Sequence, residues 1–362
     1  MIISRTPFRI SFFGGGTDYP GWYREHGGAV LAATIDKYCY LTCRYLPPFF
    51  EHKFRIVYSV IENAASVEEI KHPAVREVLK FLAVGRGIEI HHDGDLPARS
   101  GMGSSSSFTV GLLHALHALA GRITSKHDLA LQGIKVEQEL LKEIVGSQDQ
   151  VMAAYGGLQH VRFHTSGDII AQPVTISPAR LKELNSHLML FYTGIKRTAS
   201  DVASAYVANL DSRRRELRII HDLVGEGLAV LGSGKDIRGF GELLHEGWLA
   251  KRTISGNISN NSVDGIYSDA REAGAVGGKL LGAGGGGFIL LFVPPERQEG
   301  VKEKLDSLIH VPFEFEHSGS QIIFLDHEAD YSAAEQARSL RPAVQFRELG
   351  VEHTFVPQHA HP

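Results

Sequence analysis

Two kinds of hydrophobic periodicity run along the chain. Residues 2–11 and 29–45 are apolar, β-branched or aromatic runs with a glycine-rich turn between them, and they predict two long strands. Residues 54–60 and 87–92 predict shorter ones. From 104 to 120 a helical pattern opens on a serine cluster, and a second helical pattern runs from 127 to 145. The second half mixes the two again: a strand at 188–192, helices over 200–231, 237–250 and 262–273, and an apolar strand at 288–293. Strands and helices do not alternate as regular βαβ units, so the expected class is α+β rather than a doubly wound sheet. Beyond Asp326 the pattern weakens, and no repeat of solenoid length is present.

One helical position breaks the pattern. On a wheel of ~100° per residue with Glu137 at zero, Ala130, Ile134, Leu140, Leu141 and Ile144 fall within about 60° of it. Lys135, Glu139, Lys142 and Glu143 fall on the far side. A carboxylate in the middle of an apolar face needs a partner, either a cation such as Mg²⁺ or an arginine. Further on, Gly146-Ser147-Gln148-Asp149-Gln150 closes this helix with a second carboxylate.

Composition narrows the class. With 43% hydrophobic and 22% charged residues over 362 positions, the chain can bury a core and is not of the disordered type. No apolar run approaches the ~20 residues of a membrane helix. A net charge of −4 gives no general attraction to nucleic acid or acidic lipid. Cys39 and Cys43 lie four apart on a predicted strand, roughly 13 Å, too far for a disulfide. Two reduced thiols and no leader pattern at Met1–Arg9 predict a cytoplasmic protein. The 19 histidines include His91, His92, His114 and His117, none of which completes a set of zinc ligands by spacing.

Three glycine-rich loops carry the chemistry. The first, Gly14-Gly15-Gly16-Thr17-Asp18-Tyr19, follows a strand and holds Asp18 close to a backbone that a ligand can approach, or else is a simple turn capped by Asp18. In the second, Pro97 to Ser107, Gly101-Met102-Gly103 precedes four serines at a helix start. That pattern presents N–H groups to a phosphate, whereas plain N-capping needs only one serine. The third, around Gly282, Gly284, Gly285 and Gly287, fits G-x-G-x-x-G in spacing but leads into a strand, which rules out a dinucleotide fold. Two further stretches, Lys196-Arg197-Thr198 and Lys251-Arg252-Thr253, pair cations with hydroxyls, as an anion site or as solvated surface. A serine-rich phosphate loop with two carboxylates is the equipment of phosphoryl transfer.

These loops, in this order, resemble the three motifs of the GHMP kinases, the family that phosphorylates sugars, homoserine and mevalonate. Thr6-Pro7-Phe8-Arg9 through Thr17-Asp18-Tyr19 is similar to the first motif, with Gly15-Gly16 where galactokinases carry Glu-His. The second loop is similar to P-x-x-x-G-L-G-S-S-A, with Met102 for Leu and Ser106 for Ala. The resemblance implies an N-terminal ribosomal-protein-S5-like domain over 1–180, a ferredoxin-like C-terminal domain over 181–326 and an extension over 327–362. It implies ATP and Mg²⁺ as cofactors and a small sugar or sugar phosphate as substrate, with no nucleic-acid or membrane partner. Asp149 is then the catalytic carboxylate, with Arg9 beside the acceptor. Pro97, Gly101, Met102, Gly103, Ser104, Ser105 and Ser106 are the nucleotide cradle, and Ser105 with Glu137 hold the metal. Gly15, Gly16, Thr17, Asp18, Gly194, Arg197, Arg252, Gly284 and Gly285 are the substrate positions. Within the family, the Gly-Gly-Gly-Thr-Asp-Tyr variant and Gln148-Asp149-Gln150 are most similar to the kinases of heptose phosphates, with L-fucose kinases as the alternative.

Overall fold

The computed structural model describes residues 1–48, 50, 52–98, 100–195, 213–254, 258–326 and 331–339. The expected strands at the start are present as β1 (Ile2–Phe13) and β2 (Gly28–Tyr45), with α1 (Pro20–His26) in the connection. They pair antiparallel from Ile2 opposite Cys43 to Phe13 opposite Leu31, with a register shift after Pro7, which has no N–H for the ladder. β3 (Phe54–Val57), β4 (Ile61–Ala64), α2 (Pro73–Phe81) and β5 (Ile88–Gly94) follow. β2 is the spine of a nine-stranded sheet: β5 pairs with its C-terminal half, and β6 (Leu158–Phe163), which carries β7 (Ile169–Pro173), pairs with its N-terminal half.

Against this sheet lies α3 (Ser104–Leu119), buried on nearly all sides because α4 (Lys126–Lys135) and α5 (Gln148–Tyr155) cover its other face. A second layer begins with α6 (Pro178–Ser186) and β8 (Leu188–Tyr192). It continues with α7 (Arg214–Gly232), α8 (Arg238–Ile254), α9 (Asn261–Glu272), β9 (Gly277–Leu280), β10 (Phe288–Phe292), α10 (Gln298–Lys304) and β11 (Ile309–His310). Its four strands run in the order β11-β8-β10-β9, with β8 and β10 buried throughout apart from Tyr192. The α+β class holds, and both cysteines are free and buried in β2.

Three expectations need correction. The second helical pattern does not run to residue 145: α4 ends at Lys135 and gives way to a π-helical turn, Val136–Leu140, after which Lys142 takes a positive φ of 56°. Leu140 and Ile144, expected on the buried face, are therefore exposed. Asp149 does not close that helix but stands in the first turn of α5. The 181–326 unit is also not contiguous. β12 (Phe315–Glu316) returns to β2 and β13 (Gln321–Leu325) to the free edge of β1, so the chain ends its second layer near residue 310 and completes the first sheet. Of the extension, only α11 (Ser332–Ser339) is described. Arg197 and the start of the helix expected at 200–231 lie outside the described residues.

Candidate active site

The three glycine-rich loops meet at one cavity of about 580 Å³. Its walls include Arg9, Ser11, Gly15, Gly16, Asp18, Gly101, Gly103, Ser104, Ser105, Asp149 and Gly282. The loops approach this closely because they lack side chains. A Cβ on Gly282 would lie 2.5 Å from the Gly101 Cα, so the third loop presses directly on the second. Likewise a Cβ on Gly146 would lie 1.9 Å from Asp18 Oδ2, and this glycine lets the segment before α5 pass over the Asp18 carboxylate.

The start of α3 is capped by the backbone of Gly103 in the left-handed region, and no side chain caps it. Single-serine capping is thus not what starts this helix, and Ser104 and Ser105 of its first turn line the cavity. Arg9 clamps this loop to the carboxylate opposite. Its Nε and Nη2 donate to Asp149 Oδ1 and Oδ2, each at 2.7 Å, and its Nη1 donates to the Gly101 carbonyl at 2.6 Å. With Arg9 5% exposed, the guanidinium sets the spacing between the second glycine-rich loop and the carboxylate.

Asp18 is buried beside this pair. Its oxygens accept from the N–H groups of Gly16 at 2.8 Å and Gln148 at 3.3 Å, yet burial outweighs these bonds and pushes its carboxyl up. Two buried polar atoms near Gly15, Ser11 Oγ and Gln148 Oε1, have no partner among the described residues. Such atoms at a cavity wall suit a hydroxyl-rich ligand.

Glu137 is fully buried, as its place on the wheel requires, but it stands behind the cavity wall. Its Oε2 accepts from Ser106 Oγ at 2.8 Å and from the Gln150 amide, while Oε1 has no well-formed bond among the described residues. Burial pushes its carboxyl up to about 7 against the lowering effect of hydrogen bonding from Ser106, Gln150 and Thr109. An orphaned oxygen on a buried carboxylate, next to a serine hydroxyl, fits a hard divalent cation. The serine joined to it is Ser106. Ser105, expected as its partner, is exposed and faces the cavity.

Other expected positions are not brought into the cavity. Thr17 is buried and spends its hydroxyl on the Gly14 and Ala29 carbonyls, so it fixes the turn. Met102 packs into the core, with its carbonyl accepting from Arg9 N–H, and Pro97 is exposed away from the lining. Gly194, Gly284 and Gly285 are absent from the wall. Arg252 is absent from the wall and is engaged by Asp264 at 2.8 Å, a clamp between α8 and α9. Its neighbour does enter the cavity. Lys251, from α8, and Lys279, from β9, both line the wall and are 8% and 7% exposed. The stripe Phe240, Leu244, Trp248, Lys251, Ile254 puts Lys251 at a core position of its helix, by the same wheel argument that singled out Glu137.

The family models described as GHMP kinases N terminal domain and GHMP kinases C terminal match residues 67–157 and 226–310. A D-glycero-alpha-D-manno-heptose 7-phosphate kinase of Campylobacter jejuni is 28% identical over 308 residues, 82% of this chain and 91% of that protein. The bifunctional fucokinase/GDP-fucose pyrophosphorylase of Arabidopsis thaliana is 24% identical over 336 residues, 85% of this chain but 31% of that one. The crystal structure of a D-glycero-D-manno-heptose 1-phosphate kinase from Bacteroides thetaiotaomicron shares the fold. It has a TM-score of 0.75 at 23% identity, covering 90% of this chain and all of that one. Carrying both domains in order, the chain belongs to the GHMP kinases. It is an enzyme of the phosphotransferase class.

Proposed function

We propose that this kinase transfers the γ-phosphoryl group of ATP to a sugar hydroxyl, and that its substrate is a heptose 7-phosphate phosphorylated at the anomeric O1. The observation that carries the reading is the Arg9 clamp, which holds a helix-start phosphate cradle and a carboxylate across one cavity. The triphosphate lies against Gly101, Gly103, Ser104 and Ser105, where backbone N–H groups and the α3 dipole favour negative charge. The acceptor occupies the space by Gly15, Gly16 and Asp18, with Ser11, Asp18 and Gln148 to meet its hydroxyls. The acceptor oxygen attacks the γ-phosphorus, the bond to the β,γ-bridging oxygen breaks, ADP leaves, and the hydroxyl proton passes to Asp149. Arg9 positions Asp149 and offsets charge as the oxygens react. Glu137 and Ser106 would hold Mg²⁺, with Ser105 at the phosphates, and the ion would neutralise phosphate charge.

Support for the heptose comes from the Campylobacter relative, whose match extends over most of both chains. The fucokinase relatives keep L-fucose as the second reading. Steady-state ADP release with heptose 7-phosphate, free heptose, L-fucose and galactose separates them. The heptose reading expects turnover with the 7-phosphate well above the rest, and preferred use of L-fucose would replace it.

A further inference from the structure

We propose that Lys251 and Lys279 together form the seat for the phosphate that the acceptor already carries, so that this buried lysine pair selects a phosphorylated sugar. The inference rests on the sugar-kinase reading above and adds the residues that read the far end of the substrate.

Both lysines lie at the wall of the cavity, almost fully buried, on different elements that converge there. The Lys251 ammonium donates to the carbonyls of Leu280 at 3.3 Å and Gly282 at 2.5 Å, and that of Lys279 to the Phe12 carbonyl at 2.8 Å. Carbonyls orient an ammonium but do not neutralise it. Among the described residues neither lysine has a carboxylate within the 4.0 Å of an ion pair. The nearby charges do not correct this. Arg9 is matched by Asp149, and among the described residues Asp18 is the one carboxylate whose charge acts on both lysines. Burial pushes Lys251 down to about 8 and Lys279 well below the usual lysine range, the response of cations short of a counter-ion. Two buried cations sharing one such carboxylate are best completed by an anion from outside, and phosphate matches their point charges.

Two phosphates can enter this cavity, that of the nucleotide and that of the acceptor. Lys279 is anchored on Phe12, two residues before the Gly14–Asp18 turn, and the Asp18 charge acts on both lysines. Those are acceptor-side groups, and the nucleotide cradle has its own N–H donors at the start of α3. The seat is therefore assigned to the acceptor. Arg252 is held by Asp264 and takes no part.

The test compares wild type with Lys251→Met, Lys279→Met and the charge-preserving Lys251→Arg in the full-length protein. KM is measured for heptose 7-phosphate, free heptose and ATP. Each Met variant should raise KM for the 7-phosphate roughly 10- to 100-fold, the range of a lost charge-assisted contact. KM for ATP and kcat/KM for free heptose should stay within a factor of about three, and Lys251→Arg should recover part of the loss. A rise confined to ATP would give the lysines to the nucleotide and overturn the proposal. An equal fall for both sugars would make them structural ties and also overturn it. If wild type turns over no heptose at all, the substrate reading fails separately. Inorganic phosphate then still decides the seat: millimolar phosphate should raise the melting temperature of wild type more than that of the Lys251→Met/Lys279→Met double variant, which keeps only the α3 cradle, and equal protection of both would refute it.

Discussion

Replacing Asp149 by asparagine tests the chemistry and the clamp together. Asparagine keeps the shape but offers one acceptor oxygen where the carboxylate offers two. One of the two 2.7 Å bonds from Arg9 then becomes an N–H facing an N–H. Breaking a buried pair costs about 3–5 kcal/mol. Here the Asp149 side chain is 24% exposed and Arg9 keeps its bond to Gly101, so about 1–3 kcal/mol is the expected loss. At roughly 2–4 °C per kcal/mol the variant should melt a few degrees lower and remain folded at 15 °C. The rate effect is separate. Without a carboxylate to take the hydroxyl proton, kcat should fall ~10²–10⁴-fold, while KM for ATP changes little. ADP release at 15 °C, with folding checked by circular dichroism, reads the rate apart from stability. Wild-type kcat in the folded variant would refute the assignment of Asp149 to the acceptor proton.

Three other perturbations have defined outcomes. Glu137→Gln keeps the bond to Ser106 but removes a buried charge that lacks a full set of partners. Activity should fall at low Mg²⁺ and partly recover at high Mg²⁺ or Mn²⁺ with no loss of thermal stability, whereas unchanged metal dependence with a lower melting temperature would make the residue structural. Gly146→Ala puts a methyl 1.9 Å from Asp18 Oδ2 and must displace that carboxylate. A shift near 1 Å should cost about 10²-fold in kcat/KM for the sugar, checked by steady-state kinetics, and unaltered kinetics would remove Asp18 from substrate binding. Lys251→Met bears on pH. The lysine is near 8 in the folded chain against the ordinary 10.5, so between these values the unfolded chain holds more protons and wild-type stability rises with pH. The charge costs the wild-type fold up to about 3 kcal/mol below pH 8, less the two carbonyl bonds the methionine loses. The ligand-free variant should therefore gain on wild type at pH 7 and lose that advantage by pH 9.5 in denaturant titrations, and a pH-independent difference would contradict the origin of the shift.

Much of the site was legible where local pattern and burial agree. β1, β2 and α3 follow from long apolar runs and a serine cluster, and the wheel that placed Glu137 against the core found a residue 0% exposed. The π-helical turn after Lys135 was not legible, because a 3.6-residue period cannot show where a helix will widen by one residue. α5, eight residues long and without a side-chain cap, is too short to show a helical period, so Asp149 read as the end of one helix when it begins another. β12 is two residues long and has no local signal, whereas β13 carries the apolar run Ile322–Leu325, and only tertiary pairing tells that it joins β1. Lys251 could have been found. It occupies an apolar stripe as Glu137 does, but beside Arg252 it reads as half of a surface cation pair, although Asp264 already engages that arginine. Lys279, between Gly278 and Leu280 in a wholly buried strand, carried a similar signal in four residues, too few to count a period.

The central claim is that this cavity phosphorylates the anomeric oxygen of a heptose 7-phosphate. Phosphorus NMR of a completed reaction with ATP, Mg²⁺ and heptose 7-phosphate tests it most directly. The account predicts one new phosphomonoester signal per ADP formed, coupled to the anomeric proton, with the 7-phosphate signal retained. A new phosphate coupled to any other sugar proton, or ADP formed with no sugar product, would contradict it.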